Sequence, residues 1–384
     1  MKPVRLIAFP ILALGLSVVW APAAAPAATH TVKPGDSIQA AIDDAVAGDT
    51  VKVMPGDYVG VVAGSSAAAI RITKPLKLIA KSNPAKGVRV RILPDAGGSL
   101  KHGILVEPAN PIDPDVDGVT IKGFTVQGFP KNGIWLRHVN NFKIQSNESI
   151  DNLENGIWPT LSANGSVKKN VAYGSEDSAL WVEASENVRV LKNEFHHSPT
   201  GLEITVSKNI TAMKNDIHDN TIGIGLYHPS AAGLPPLMPL EDNGYWKISG
   251  NYVHDNNEPN AAPPGSMSSA LPNGGGILVL GADHVDVTKN RIENNDFFGI
   301  AMIDYCIAVD GTDFDCTVNP PEVTDTAPDN NRFTSNALFG NGLNAPPGPF
   351  APFAADILAL GGMNNCFSGN TAALTIPFPL TPEC

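Results

Sequence analysis

Aromatic residues make up only 7% of the 384-residue chain and charged residues only 17%, while glycine (36) and proline (33) are plentiful. So few aromatics among so many turn-formers argue against a helical bundle and for a turn-rich all-β chain. The low charge, with 43% hydrophobic residues, excludes a disordered polymer. No run of Lys or Arg occurs and the formal net charge is −12, so the footprint of a nucleic-acid or anionic-membrane binder is missing. After residue 28 no segment reaches the roughly 18 apolar residues of a membrane span.

What is present begins with an export signal. Lys2 and Arg5 form a basic head, Leu6 to Trp20 an uncharged apolar stretch, and Ala25-Pro26-Ala27 a small-residue cleavage site. Residues 1–28 are therefore expected to be removed, and residues 29–384 to form one domain, monomeric and secreted or periplasmic. In an oxidising compartment the four cysteines are most simply two disulfides. Three pairings are open. Cys306 with Cys316 and Cys366 with Cys384 are favoured, because each closes a short local loop.

Asparagines reveal a repeat. Asn147, Asn170, Asn193 and Asn215 recur at spacings of 23, 23 and 22, and the phase returns at Asn251, Asn290 and Asn336 after insertions. Apolar pairs precede most copies: Phe142 and Ile144, Val188 and Val190, Ile210 and Ala212, Trp246 and Ile248, Val285 and Val287. This is period-two strand patterning. A second strand, opening on Gly or Ala, follows in Gly156-Ile157-Trp158, Ala179-Leu180-Trp181, Gly201-Leu202-Glu203 and Gly223-Ile224-Gly225. A unit of about 22 residues cannot bury its apolar face alone, so each repeat reads as one coil of a solenoid with strands stacked about 4.8 Å apart.

The pattern Asn193-Glu194-Phe195-His196-His197 followed by Gly201-Leu202-Glu203-Ile204, and Asn290-Arg291-Ile292-Glu293 followed by Gly299-Ile300-Ala301-Met302, resembles the right-handed parallel β-helix repeat. It is similar to the carbohydrate-binding and sugar-hydrolase β-helices, a group that also holds accessory proteins of nitrous-oxide reductase. Thr31 to Ile42, leading to Gly48-Asp49-Thr50 and Pro55-Gly56-Asp57-Tyr58, looks like that group's first coil and capping helix. The resemblance covers about residues 30 to 372 and implies a β-helix solenoid with an N-terminal capping helix. For activity it implies little, because this fold hosts lyases, hydrolases, epimerases and non-enzymes. The Asp-Pro-His arrangement of the alginate epimerases, the polygalacturonase motif set and the nonapeptide calcium repeat are all absent.

The capping segment reads independently. Asp36 and Gln39 suggest a capping box, and Ile38, Ala41, Ile42 and Ala45 a helical stripe that would cover an open sheet edge. The asparagine column reads as a hydrogen-bonded ladder.

The outward positions carry the chemistry. If Ile134 and Leu136 point in, Trp135 and Arg137 point out, and the same phase aligns Trp158, Trp181 and Glu203 with Trp135. A row of indoles suits sugar rings, whose C–H faces pack on aromatic faces. A loop covering the tryptophans is the bland alternative. A second outward column holds Tyr173, His196, His218, His254 and Glu293, and is expected to approach Glu203 and the column of Arg137, Glu183 and Tyr227 across a short turn. Glu203, His196, His218 and Tyr227 are the candidate catalytic residues; Trp135, Trp158, Trp181, Arg137 and Glu183 are the candidate substrate-binding residues. A His, Tyr and carboxylate group suits the proton transfers of uronate lyases and epimerases. Glu203 with Glu183 would instead suit a hydrolase. Histidines that merely face solvent beside a turn, or that bind a transition metal, are the other readings. Asp310, Asp313 and Asp315 offer hard oxygens to calcium, or form a solvated acidic loop. Insertions at 228–244, 257–274, 304–330 and 343–353 are long enough to wall a groove. The expected partner is therefore a polysaccharide. Two functions follow: an enzyme of acidic glycans, lyase or epimerase foremost, or a non-catalytic glycan-binding or cell-envelope accessory protein.

Overall fold

The computed structural model describes residues 26–232, 243–321, 323–348, 350–377, 380 and 384. The export signal falls almost wholly on residues 1–25, outside the described residues, as does part of the first insertion, residues 233–242.

The chain coils through three parallel sheets of twelve, ten and eleven strands. Each complete coil contributes one strand to each sheet, the terminal coils fewer, and each of these strands pairs with its equivalent one coil away. Thus Arg189–Leu191 pairs with Thr211–Met213 in the first sheet, Glu194–His196 with Asp216–His218 in the second, and Thr200–Thr205 with Ile222–Tyr227 in the third. The fold is all-β and solenoidal, as expected. The inward pairs named above, from Phe142 and Ile144 to Val285 and Val287, are all buried.

The asparagine column is a ladder. Asn170 Nδ2 donates to Asn193 Oδ1 at 3.0 Å, Asn193 to Asn215 at 2.9 Å and Asn215 to Asn251 at 2.9 Å, each also reaching a backbone carbonyl. A second ladder, from Asn220 through Asn256, Asn295 and Asn341 to Asp356, lines another corner.

The capping helix spans Ile38–Asp44 and buries Ile38 and Ile42. Its N-cap differs from expectation. Ser37 Oγ accepts from Ala40 N, whereas Asp36 accepts from Lys33 N in the preceding turn. Gln39 does not close a capping box; its amide accepts from Arg71 N at 2.8 Å and donates to Arg71 O at 3.0 Å. It thereby completes the ladder of Ala68–Ile72, the edge strand of the third sheet, and leaves that edge less open to strand addition.

Both expected disulfides are present, Cys306–Cys316 with Cα atoms 5.5 Å apart and Cys366–Cys384 at 4.8 Å. No helix among the described residues is long and apolar enough to cross a membrane.

Candidate active site on the outer face of the third sheet

Register aligns Trp135, Trp158, Trp181, Glu203, Gly225 and Leu278 in one outward column of the third sheet. Strand pairing forces the indoles into a stack: Trp135 to Trp158 is 5.0 Å between centroids at 6°, and Trp158 to Trp181 is 5.2 Å at 3°. His102 covers the far side of Trp135 at 4.9 Å. This corrects the expectation of an exposed sugar platform. The tryptophans are half-buried, and both faces of Trp135 and Trp158 and one face of Trp181 pack on neighbouring rings. Their N–H groups point along the sheet: Trp158 Nε1 donates to Glu183 at 3.2 Å and Trp181 Nε1 to Thr205 at 2.8 Å.

The row ends in a cluster of buried carboxyl groups. Glu203 and Glu183 are 5% and 1% exposed. Strand spacing of about 4.8 Å and a rise of about 3.3 Å per residue place their Cα atoms about 8 Å apart, as diagonal neighbours on adjacent strands. Ser178 Oγ donates to Glu203 at 2.5 Å, and Thr160 Oγ1 to Glu183 at 2.9 Å. Burial raises the Glu203 pKa well above the usual carboxylate range, and the neighbouring Asp177 and Glu183 raise it further. Burial likewise lifts Glu183 to about 7, against the hydrogen bonds from Thr160 and Trp158. Asp177, raised chiefly by burial, accepts from Ser268 Oγ of the 257–274 insertion, which crosses this face. Tyr227 is buried too. Its ring lies back over Gly225, where a Cβ would collide with it, and its hydroxyl is 3.4 Å from Thr200 Oγ1.

Three buried polar atoms on this face have no hydrogen-bond partner: Trp135 Nε1, Asn155 Nδ2 and Glu183 Oε1. They come from successive coils of the same sheet.

The histidines lie elsewhere. Tyr173, His196, His218 and His254 form a ring stack on the second sheet, with centroids 4.5, 5.1 and 5.1 Å apart. His218 Nδ1 meets Asp219 at 2.8 Å, and His254 lies 2.7 Å from Asp255 and 3.1 Å from Asp216. His196 is lowered to about 4 by burial and by His218 and His197. The expected convergence of His196 and His218 with Glu203 and Tyr227 does not form. Outward normals of adjacent faces of a closed coil diverge, so side chains on either side of the Ser198-Pro199 corner point apart. The site thus unites Glu203, Tyr227, Glu183, Trp158 and Trp181, omits His196 and His218, and leaves Arg137 exposed at a strand end.

Asp177, Ser178, Asn155 and Ser268 were missed by sequence reasoning. The first three sit just before the Gly or Ala that opens each strand, so repeat phase alone would have found them; Ser268 arrives from an insertion and carries no such signal. In the Cys306–Cys316 loop, Asp315 accepts from Thr317 N, Thr317 Oγ1 and Gly311 N, closing its own turn. Among the described residues no group of three His, Cys, Asp or Glu side chains is placed to hold a metal.

Comparison with known proteins bears on the fold. The family described as the right-handed beta helix region matches residues 103–234. The chain is a right-handed parallel β-helix. The A-module of the mannuronan C-5 epimerase AlgE4 of Azotobacter vinelandii is similar in structure, with a TM-score of 0.59, 14% identity, and coverage of 90% of this chain and 94% of that one. ORF18 of Geobacillus virus E2 gives 0.59 and 13% over 88% of this chain, which spans only 61% of that protein. A mutant DFA-IIIase from Arthrobacter chlorophenolicus A6 in complex with DFA-III gives 0.56 and 14%, over 92% and 84%. No curated protein matches the β-helix by sequence.

Proposed function

We propose that this β-helix is an exported glycan-acting enzyme, a glycoside hydrolase of neutral saccharides, with its reacting groups on the outer face of the third sheet. The observation that carries this reading is the pair of buried carboxyl groups Glu203 and Glu183 on adjacent strands at the end of the indole row, each held by a hydroxyl donor and with Glu183 Oε1 left without a partner. Buried polar groups are normally paired, so an unpartnered carboxylate oxygen is a place for a polar ligand. Glycosidic cleavage needs one carboxyl group that keeps its proton and one that is ionised. Glu203, raised furthest, delivers its proton to the glycosidic oxygen as the C–O bond breaks. Glu183, ionised above about 7, takes a proton from the water whose oxygen bonds to the anomeric carbon as the glycosidic bond breaks, so that the products are a free sugar and an alcohol. Tyr227 and Ser178 position Glu203. The structural neighbours that act on glycans are consistent with this class, and the two disulfides fit an oxidising compartment.

A uronic acid suits this face less well than a neutral sugar. Glu154, Asp177, Glu183 and Glu203 interact here, and Lys131 is already paired with Glu154 at 3.3 Å. The lyase or epimerase reading is also weaker because His102, joined through Asn132 to Glu154, stands at the far end of the indole row from Glu183 and Glu203. One observation favours a non-catalytic glycan binder: the near-complete burial of Glu183 and Glu203. Incubating the protein with neutral and uronic glycans, and following both new reducing ends and unsaturated-sugar absorbance, separates the readings. New reducing ends from a neutral glycan without unsaturated product are expected. Unsaturated product from a uronan would replace the hydrolase by a lyase, and binding without turnover would leave a binder.

A further inference from the structure

Charge is distributed unevenly round the coil. On the first sheet, the strands from Lys143–Gln145 to Trp246–Ser249 carry Lys143, Lys168, Arg189 and Lys247 at outward positions, and no carboxylate. The corner leading from these strands to the second sheet is two residues long, an outward residue followed by the buried asparagine of the first ladder. Three successive coils place Lys169, Lys192 and Lys214 at the outward position, each exposed with φ of 56°. The corner leading into the first sheet holds Asn164, Asn187 and Asn209 in the same left-handed conformation. Asparagine tolerates that conformation better than lysine does, so the three lysines stand against the backbone preference. They line one shallow depression of about 330 Å³, whose far side carries Glu194 and Asp216, held towards His218 at 3.6 Å and His254 at 3.1 Å. Elsewhere Arg89, Arg91, Lys131 and Arg291 each sit against a carboxylate. Among the described residues none lies within ion-pair distance of the first-sheet cations or the corner lysines named here. A chain of net charge −12 thus presents a face of unpaired positive charge.

We infer that this face and its lysine corner dock a linear anionic glycan of the polyuronate kind, held as an anchor and not as a substrate, at a site independent of the third sheet. Charge complementarity and period support that occupant. The corner lysines repeat at the strand spacing of about 4.8 Å, since Lys169 N donates to Leu191 O beside Lys192, and Lys192 N to Met213 O beside Lys214. A polyuronate carries one carboxylate per ring, and successive rings of an extended chain advance by nearly one strand spacing. Such a chain lying along the solenoid axis meets a lysine at every coil of the corner and further cations on the sheet beside it. The outward positions between those cations include Leu191 and Met213 and no aromatic ring, so nucleic-acid bases find nothing to stack on. Cations one strand apart in space are a full coil apart in the chain, which is why no run of Lys or Arg announces this face.

The test is calorimetric titration of the intact protein with polygalacturonate, with dextran as the neutral control. Saturable binding of polygalacturonate that weakens steeply as salt rises is expected, and none of dextran. Lys169→Gln, Lys192→Gln and Lys214→Gln combined, with the fold checked by melting, should weaken it by about tenfold or more. Lys101→Gln, Lys131→Gln and Arg291→Gln combined remove as much charge from other faces and should leave affinity within about twofold of wild type. Equal losses in the two triple variants would reduce the effect to net charge and overturn the site. Absence of polygalacturonate binding, or equal binding of dextran, would overturn it as well. Tighter binding of duplex DNA, or of phosphatidylglycerol vesicles, at the same salt would give the face to another partner and overturn the glycan assignment.

Discussion

Glu183 has one carboxylate oxygen engaged by Thr160 and Trp158 and the other buried without a partner, an arrangement that fixes how stability depends on pH. Burial raises its pKa from 4.5 to about 7. The folded protein therefore binds a proton that the unfolded chain releases, so the associated stability is complete below about pH 4.5, falls as pH rises to about 7, and then levels. The shift corresponds to roughly 3 kcal/mol. Glu203 acts in the same direction, whereas His102 and His196, lowered to about 4 by burial, act oppositely between about pH 4 and 6.5. The informative quantity is thus the difference between wild type and Glu183→Gln in thermal melts. The variant should gain relative stability between about pH 5 and pH 8, and a difference independent of pH would contradict the buried acid. The Glu203 and Trp column was legible because strand period alone places it. That the indoles turn their faces to one another was not, because it depends on side-chain rotamers.

At the scale of elements, the asparagine ladder was read from spacing because one residue type marks successive coils. The second ladder escaped because its corner begins with Asn152, Ser175 and Ser198 before becoming uniform at Asn220. The helix was expected where it lies, but its cap moved by one residue because Ser37 rather than Asp36 faces the first turn. Asn193→Ala tests the ladder. It orphans Asn170 N, leaves Asn170 Nδ2 with only the Ile144 carbonyl, and removes two donations from Asn193 itself. At about 1–3 kcal/mol per buried unsatisfied group, a loss of roughly 3 kcal/mol in urea unfolding is expected. Asn187 is exposed with φ of 55°, so Asn187→Gly should change stability by only a few tenths of a kcal/mol. Equal losses at both positions would deny the buried ladder its role.

Over the whole molecule, the solenoid sets outward columns on faces that diverge. Coil phase identified both the carboxyl column and the histidine column. It could not show that they lie on separate faces, because that follows from the angle at the corner rather than from sequence spacing. Nor could it show that the 257–274 insertion returns to cover Asp177, a contact over 91 positions of chain. The central claim is that the reacting groups belong to the third sheet and not the second. Its most direct test is steady-state kinetics with the glycan identified by the screen, comparing Glu203→Gln and Glu183→Gln with His218→Ala. The two carboxyl variants should lose about 10²–10⁴-fold in kcat with binding retained, since a proton-transfer group acts mainly in the transition state. His218→Ala should stay near wild type. Loss of turnover in His218→Ala with Glu203→Gln unaffected would move the active site to the histidine face and contradict the account.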